Sequence, residues 1–266
     1  MKGRITVTTR FIRKFGNADA YNQIRWIKEG AISGRDVIRK LEQLLHHKPL
    51  QYVIGNQPFI NTVIECKPPT LIPRPETEFW VDALIARFHH TSGHTVLDLC
   101  TGSGCIAVNI AKEMECDKVV AIDNSVAACN LASLNAHKNL NQQQLSKLEI
   151  RRLDILKDHI DLSSFNIITM NPPYITLADY QGLESTVREW EDKDALVPYS
   201  DSSGLVFYER LLQLLKGAQN KQVWMEIGYN QTKQVVQLAK ESGVHSIELL
   251  QDPFNPDINR VVILHL

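Results

Sequence analysis

The stretch that decides the fold is residues 95–104, Thr95-Val96-Leu97-Asp98-Leu99-Cys100-Thr101-Gly102-Ser103-Gly104. It begins as an apolar run that is typical of a buried strand, it ends in a turn with two glycines, and a helical pattern starts at Cys105. A glycine turn between a strand and a helix lets a ligand approach the backbone amides at the helix N-terminus. The sequence therefore predicts a ligand-binding turn at this position.

The rest of the chain continues as alternating strands and helices. Short β-branched runs predict seven strands, at residues 95–99, 118–122, 148–153, 165–170, 222–226, 246–251 and 260–266. Apolar residues at three- and four-residue spacing predict helices between them, at residues 105–114, 125–140, 205–217 and 231–243. This alternation indicates an α/β fold. The loop 252–259 is too short for a crossover helix, so we expect a seven-stranded mixed sheet whose last strand is antiparallel.

Residues before the sheet predict a short helical segment and a hairpin linker. Apolar spacing predicts a helix over 33–47, and Pro75 suits the start of a second helix over 76–90. Residues 50–72 contain short extended runs separated by Pro, Asn and Gly, which is typical of a hairpin. We place the domain boundary near residue 70, between an N-terminal segment, 1–70, and a larger domain, 71–266.

Composition limits the class of protein and of partner. Hydrophobic residues make up 44% and charged residues 22% of the 266, as in soluble globular proteins. The net charge of −1 gives no global basic field, so we expect no stable binding of nucleic acid. No apolar run approaches the roughly 18 residues of a membrane helix, so no membrane association is expected. The five cysteines contain no C-x-x-C pair, which supports neither a metal site nor a disulfide framework.

Residues 1–18 have the composition of a targeting segment. They contain five basic residues and three threonines, and no acidic residue precedes Asp19. This pattern fits a mitochondrial targeting sequence, and it fits a basic amphipathic first helix of the mature protein equally well. We expect a mitochondrial location, with the cytoplasm as the alternative.

The glycine turn fits two kinds of nucleotide ligand. Gly102, Gly104 and Ala107 match the dinucleotide fingerprint G-x-G-x-x-G/A, and Asp123 lies 21 residues after Gly102, where a ribose-binding acid is expected. A nicotinamide dehydrogenase is therefore one interpretation. Asp98 favours another, because a carboxylate beside the glycines repels a diphosphate but suits a sulfonium or ammonium ligand that carries a ribose and an adenine.

Three aspartates lie at or just beyond the ends of successive predicted strands. We expect Asp98 near the amino-acid part of such a ligand, Asp123 on the ribose hydroxyls and Asp154 near the adenine amine. Each could instead be a helix cap or a turn former. The predicted cofactor-binding residues are Asp98, Cys100, Thr101, Gly102, Ser103, Gly104, Asp123, Asp154, Ile155 and Asn171.

A second motif, Asn171-Pro172-Pro173-Tyr174, directly follows the predicted strand 165–170. Open α/β sheets bind ligands at the carboxyl ends of their strands. An Asn held by two prolines is a stiff carboxamide with one acceptor and two donors, which suits a substrate that carries an NH2 group. The alternative is an ordinary Asn-Pro turn. We predict that all four residues bind substrate.

Together these motifs resemble the class I S-adenosylmethionine-dependent methyltransferases that methylate a planar nitrogen of adenine, guanine or a glutamine amide. Residues 35–266 carry a closer resemblance to the release factor glutamine methyltransferases, known as PrmC or HemK. The similar segments are Pro49-Leu50-Gln51-Tyr52-Val53-Ile54-Gly55, Leu71-Ile72-Pro73-Arg74-Pro75-Glu76-Thr77-Glu78 and Asp257-Ile258-Asn259-Arg260-Val261-Val262. Two departures are a short stretch before Pro49, where bacterial members have a helical bundle, and Cys100 in place of the usual glycine.

The resemblance implies the class I methyltransferase fold, S-adenosylmethionine as cofactor, and a class I peptide chain release factor as the protein substrate, methylated on the glutamine of its Gly-Gly-Gln motif. We infer catalytic roles for Asn171, Pro172 and Tyr174. The Asn171 side-chain oxygen and the Pro172 carbonyl would accept the two N–H bonds of the glutamine amide, and Tyr174 would pack on the amide plane. We expect a monomer. The alternative functions are a nucleic acid N-methyltransferase with the same tetrapeptide and a non-catalytic binder.

Overall fold

The computed structural model of the protein describes residues 7–199 and 203–266. The helices of these ranges are α1 (Val7–Phe15), α2 (Asn17–Glu29), α3 (Gly34–Leu45), α4 (Leu50–Ile54), α5 (Pro75–Phe88), α6 (Cys105–Glu113), α7 (Val126–Asn139), α8 (Gln142–Leu145), α9 (Leu177–Gln181), α10 (Ser185–Arg188), α11 (Val206–Leu214) and α12 (Thr232–Glu241). The strands are β1 (Asn56–Phe59), β2 (Thr62–Glu65), β3 (Ser92–Leu99), β4 (Glu115–Asp123), β5 (Leu148–Arg152), β6 (Ile167–Met170), β7 (Gln222–Glu226), β8 (Ser246–Gln251) and β9 (Asn259–His265).

Strands β3 to β9 form one sheet in the order β5-β4-β3-β6-β7-β9-β8. The first five strands of that order pair in parallel, whereas β9 pairs antiparallel with both β7 and β8. The predicted seven-stranded mixed sheet with an antiparallel last strand is therefore confirmed. The observed bounds differ by a few residues, since β3 begins earlier than predicted, at Ser92, and β6 begins later, at Ile167.

The core lies on both faces of this sheet, because successive strand residues point to opposite sides. Val96 of β3 packs in a cluster with residues of α5, α6 and α7, while the next residue, Leu97, packs in a second cluster with residues of α11 and α12. Strands covered on both faces are apolar throughout, which explains the continuous apolar runs of the sequence. Trp80 of α5 and Trp224 of β7 stack within the first cluster, with ring centroids 6.3 Å apart.

The order of the strands reverses between β3 and β6. From β3 the chain proceeds outward through β4 and β5, and it then returns to β6 on the other side of β3. Such a switch point opens a crevice at the carboxyl ends of the strands. The turn after β3 and the four residues after β6 both follow the carboxyl ends of strands at this switch point, where such a crevice is expected.

The N-terminal part consists of four helices and a hairpin. Residues of α1 to α4 share a small apolar cluster, in which Phe11 and Ile27 are fully buried. The hairpin predicted within residues 50–72 is formed by β1 and β2, but residues 50–54 form helix α4 instead of an extended run. Phe59 and Ile64 of the hairpin join the cluster of the main sheet. Asn139 at the end of α7 exchanges two hydrogen bonds with the backbone of Val63, both of 3.1 Å. The hairpin thus packs on the larger domain, and the boundary near residue 70 stays a prediction.

Part of the predicted targeting segment lies outside the described residues, namely residues 1–6. Its remainder falls on α1 and the start of α2. In the described ranges, the helices are all too short or too polar to cross a bilayer.

Candidate active site

The turn after β3 adopts the left-handed backbone conformation at three positions. Cys100, Gly102 and Gly104 have φ angles of 60°, 55° and 80°. A side chain in this conformation is strained, so Cys100 occupies a position that suits glycine better. The Thr101 N–H donates to the Ile122 carbonyl at 2.9 Å, which holds the turn against β4. Backbone hydrogen bonds therefore hold the conformation of the turn.

Asp123, the last residue of β4, binds this turn directly. Its Oδ2 accepts from the Gly102 N–H and its Oδ1 from the Ser125 N–H, both at 2.9 Å. Burial raises the pKa of Asp123, and the two backbone donors oppose that shift. Each carboxylate oxygen has more than one lone pair, so both can still accept a ligand hydroxyl. The structure thus brings Asp123 and Gly102 together, and the role of Asp123 on the ribose hydroxyls stays a prediction.

Asp98 lies beneath the turn and is fully buried. Its two oxygens accept from the hydroxyls of Thr101, at 2.6 Å, and Thr169, at 2.8 Å. Burial raises the pKa of Asp98 to about 7, although the two hydroxyl donors oppose the shift. Asp98 therefore fastens the turn to β6, and its contact with a cofactor stays a prediction.

Asp154 follows β5, two strands away from the glycine turn. Its Oδ1 accepts from the Leu156 N–H at 2.9 Å, and its Oδ2 forms an ion pair with Lys157 at 3.0 Å. These contacts are those of a turn former, which is one of the two interpretations of the sequence. Ile155 beside it is buried in the apolar cluster.

Asn171 lies immediately after β6, next to the turn that follows β3. Its Nδ2 donates to the hydroxyl oxygen of Thr77 at 3.2 Å, and its side chain is partly exposed. Pro172 and Pro173 are buried and fix the backbone beyond it. Since the amide nitrogen is bound to Thr77, the amide oxygen Oδ1 is left for another partner.

A buried carboxylate, connected to Asn171 through Thr77, was not predicted from the sequence. Glu226, at the end of β7, is 1% exposed. Its Oε2 accepts from the Thr77 hydroxyl at 2.7 Å and from the Trp80 indole N–H at 2.8 Å. Its position at the carboxyl end of an apolar strand, like that of the predicted aspartates, is the signal that could have identified it. Thr77 itself lies within the quoted segment 71–78.

Tyr174 is held by the same carboxylate. Its hydroxyl donates to Glu226 Oε1 at 3.2 Å, and its backbone carbonyl accepts from Gln231 Nε2 at 3.1 Å. Burial raises the pKa of the Tyr174 phenol above its usual value, and the adjacent Glu226 adds to the shift. The hydrogen bonds to Glu226 and Gln231 therefore fix the position of Tyr174.

The described residues contain no group of three or more His, Cys, Asp and Glu side chains that could hold a metal ion. The polar groups at the crevice are instead amides, hydroxyls and isolated carboxylates. Such a set can bind and orient a polar organic ligand and an NH2 group.

Comparisons with known proteins show relatives that match most of the chain. The family described as Methyltransferase small domain matches residues 77–185. The release factor glutamine methyltransferase of Thermodesulfovibrio yellowstonii is 35% identical over 228 residues, which are 84% of this chain and 78% of that protein. The protein of the same name from Geobacter sulfurreducens is 35% identical over 81% of this chain and 72% of its own length. The probable MRF1 mitochondrial N(5)-glutamine methyltransferase mtq1 of Schizosaccharomyces pombe is 31% identical over 68% of this chain and 61% of its own length.

Solved structures agree on the fold. The human methyltransferase 10 domain containing protein has a TM-score of 0.55 at 14% identity and covers 77% of this chain and 89% of its own. The methyltransferase domain of bacterial CtHen1 has a TM-score of 0.51 at 13% identity and covers 72% of this chain and all of its own. At such identities the likeness concerns the fold alone, and the expected class I methyltransferase fold is confirmed. Because relatives of 35% identity match most of its length, the chain belongs to the release factor glutamine methyltransferase family.

Proposed function

We propose that this protein transfers the methyl group of S-adenosylmethionine to the side-chain amide nitrogen of the glutamine in the Gly-Gly-Gln motif of a class I peptide chain release factor, and so supports translation termination. The observation that carries the proposal is the orientation of Asn171, whose Nδ2 is bound to Thr77 and whose Oδ1 is left to accept a hydrogen bond. An oriented amide acceptor at the switch point of the sheet suits a substrate that offers N–H bonds. The names of the relatives favour the same substrate.

The crevice fits a cofactor with a ribose and a positive charge. Asp123 would hold the ribose hydroxyls, because each of its oxygens has spare acceptor capacity. The outer side of Gly102 is open, since a Cβ placed there would meet nothing within 4 Å. The backbone from Cys100 to Gly104 would then line the cofactor, with Asp154 and Ile155 at its adenine end. When bound, S-adenosylmethionine supplies a methyl group on a sulfonium centre.

Asp98 would lie near the amino-acid part of the cofactor. Its carboxyl is buried below Thr101, and its ionised form would favour the positive charge of that part. The same carboxyl fixes the positions of Thr101 and Thr169 on neighbouring strand ends.

The acceptor residues orient a poor nucleophile. A glutamine amide nitrogen shares its lone pair with the carbonyl, so catalysis depends on holding it in line with the methyl group. Asn171 Oδ1 and the Pro172 carbonyl would accept its two N–H bonds and would stabilise the positive charge that develops on the nitrogen. The ring of Tyr174, held by Glu226, would pack on the amide plane. The nitrogen would lose its extra proton to solvent after transfer.

A mitochondrial location of a monomeric enzyme is also part of the proposal. The basic residues of the segment 1–18 and the name of the S. pombe relative support the location. Phe11 is fully buried in the N-terminal helical cluster, which favours retention of α1 in the mature protein. Recovery of the protein from mitochondria tests the location, and sequencing its N-terminus tests whether α1 is retained. Recovery from the cytosol alone would contradict the location.

The proposed reaction is tested by the position of a labelled methyl group. The protein is incubated with methyl-labelled S-adenosylmethionine and, in parallel, a release factor, its Gly-Gly-Glu variant and ribosomal RNA. We expect label on the glutamine of the release factor only, because glutamate lacks the nitrogen but has the same length. Label on RNA would support the nucleic acid alternative, and label on another residue of the release factor would reject the proposed site.

A further inference from the structure

Glu226, Thr77 and Asn171 form a continuous chain of hydrogen bonds that ends at the crevice. We propose that Glu226, acting through Thr77, determines which end of the Asn171 carboxamide faces the substrate, and so makes the site selective for an acceptor that donates N–H bonds. The proposal rests on the proposed function and assigns Glu226 and Thr77 as positioning residues. Neither has to touch the substrate.

The first step concerns the Thr77 hydroxyl, which has a single proton to donate. Hydroxyl and indole donors of Thr77, Trp80 and Tyr174 face the carboxyl of Glu226 and favour its ionised form, which can only accept. Its Oε2 lies 2.7 Å from Thr77 Oγ1. The indole N–H of Trp80 donates to the same oxygen at 2.8 Å, and an indole N–H cannot accept. The proton of Thr77 is therefore committed to Glu226.

The second step follows for Asn171. Because the Thr77 hydroxyl has no further proton, its oxygen can only accept from Asn171. The atom that it faces, at 3.2 Å, is the donor Nδ2. The carboxamide cannot turn over without placing Oδ1 against the Thr77 oxygen, where two acceptors would repel. Oδ1 is thus held away from Thr77.

The third step concerns selectivity. A fixed Oδ1 accepts an N–H bond of a glutamine amide and repels the oxygens of a glutamate carboxylate. An Asn without the Thr77 hydroxyl could present Nδ2 instead, which would bind the wrong group and leave the glutamine N–H unpaired. Thr77 is 2% exposed, so bulk water does not compete for the hydrogen bonds of its hydroxyl.

Two variants of Thr77 separate the hydroxyl from the shape of the side chain. Thr77→Val keeps the shape and removes the hydroxyl, whereas Thr77→Ser keeps the hydroxyl. In single-turnover methylation of the release factor, we expect Thr77→Val to lower the rate by about 10-fold or more and Thr77→Ser to recover most of it. S-adenosylmethionine affinity, measured by calorimetry, should stay within about twofold of the original in both. An unchanged rate in Thr77→Val would overturn the proposal.

A double variant tests whether Thr77 acts through Asn171. If it does, adding Thr77→Val to Asn171→Ala should not lower the methylation rate further, because the carboxamide that Thr77 orients is gone. Multiplied losses in the double variant would show a separate role and would overturn the proposal. Glu226→Gln tests the same orientation in a second way. The amide nitrogen of glutamine can donate to the Thr77 oxygen, which frees the Thr77 proton to face Asn171, so the rate of single-turnover methylation should fall as it does in Thr77→Val.

A measurement without methyl transfer keeps this proposal distinct from the proposed function. The side-chain NH2 signal of Asn171 is identified by NMR through its loss in Asn171→Ala. We expect one of its protons to be protected from solvent exchange in the original protein and in Thr77→Ser, and unprotected in Thr77→Val. Equal protection in all three would overturn the proposal even if the enzyme methylates glutamine. Failure to methylate glutamine with this exchange pattern intact would reject the proposed function alone.

Discussion

Gly104 and Ala132 approach each other more closely than any side chain at residue 104 would permit. A Cβ added to Gly104 would lie 2.8 Å from the Cβ and 3.0 Å from the Cα of Ala132. Ala132 is fully buried in α7, and because it has no rotatable side chain it can yield only if the helix shifts. The turn after β3 is therefore packed directly against α7, and the glycine is required by this contact as well as by its φ angle of 80°.

The two glycines of the turn should differ in the cost of an added methyl group. Gly102→Ala meets no atom within 4 Å and should lower the free energy of unfolding by about 1–2 kcal/mol, the strain of a left-handed alanine. Gly104→Ala should lose that amount and about 1–3 kcal/mol more from overlap with Ala132. Urea denaturation of the ligand-free protein measures both. Equal losses would contradict the close packing of the turn on α7.

Much of this turn could be predicted from the sequence because its determinants are local. The apolar run of β3, the two glycines and the start of α6 follow one another within about twenty residues. The spacing of Asp123 from Gly102 indicated that both belong to one ligand site, and they lie close together because β4 comes next in the chain and lies beside β3 in the sheet. The positions of these groups depend only on the common βαβ connection.

The hydrogen bond between Thr77 and Glu226 could not be predicted in the same way. Thr77 and Glu226 are 149 residues apart in the sequence, and they meet because β7 lies beside β6 while α5 covers the same end of the sheet. Hydrophobic periodicity identifies strands but does not give their order. Helix α4 was missed for a different reason, since five residues are too few to display a helical period.

The buried carboxyl of Asp98 should make stability depend on pH. Its pKa rises to about 7 in the folded protein from an ordinary value of 3.8, because burial disfavours the charge. A carboxyl with a raised folded pKa favours folding in its neutral form. Its contribution is therefore complete below about pH 4, declines as the pH rises, and is lost above about pH 7. Asp98→Asn, which cannot ionise, should flatten the curve of unfolding free energy over this range.

The difference between Asp98→Asn and the original protein is the quantity to measure, because other buried carboxyls, such as Glu226, have raised pKa values as well. Denaturation curves at pH 5, 6, 7 and 8 give this difference directly. We expect the free energy of unfolding of the variant to increase relative to that of the original protein as the pH rises, by a few kcal/mol at most. A difference that does not vary with pH would show that Asp98 does not titrate in this range.

Asp123 should control the affinity for S-adenosylmethionine. Asp123→Ala removes the charged acceptor proposed for the ribose hydroxyls, and each such hydrogen bond contributes about 1.5–3 kcal/mol. The affinity should fall by about tenfold or more, while Asp123→Asn, which keeps one acceptor oxygen for the Gly102 N–H, should lose less. Calorimetry with S-adenosylmethionine and with NADH checks this. Tight NADH binding, or unchanged S-adenosylmethionine binding in Asp123→Ala, would contradict the cofactor assignment.

The ion pair between Arg74 and Glu191 should contribute far more to the free energy of unfolding than the exposed ion pairs do. Glu191 is 5% exposed, and the Arg74 Nη2 contacts both of its oxygens, at 2.8 and 2.6 Å. Arg74→Ala should leave a buried, unpaired carboxylate and lower the unfolding free energy by about 3–5 kcal/mol at neutral pH. Arg151→Ala is the matched control, because its partner Glu149 is exposed and such pairs contribute about 1 kcal/mol or less.

The sign of the pH dependence identifies Glu191 as the cause of the loss. Burial already raises the pKa of Glu191, and Arg74 opposes that shift. Without Arg74 the pKa should rise further, so the carboxyl becomes neutral at a higher pH and the penalty for burying its charge fades on acidification. Arg74→Ala should therefore be closer in stability to the original protein at pH 5 than at pH 8. A loss that is equal at both pH values would mean that Arg74 stabilises the loop by packing alone, and recovery of stability at pH 8 in Arg74→Ala/Glu191→Gln would confirm the role of the charge.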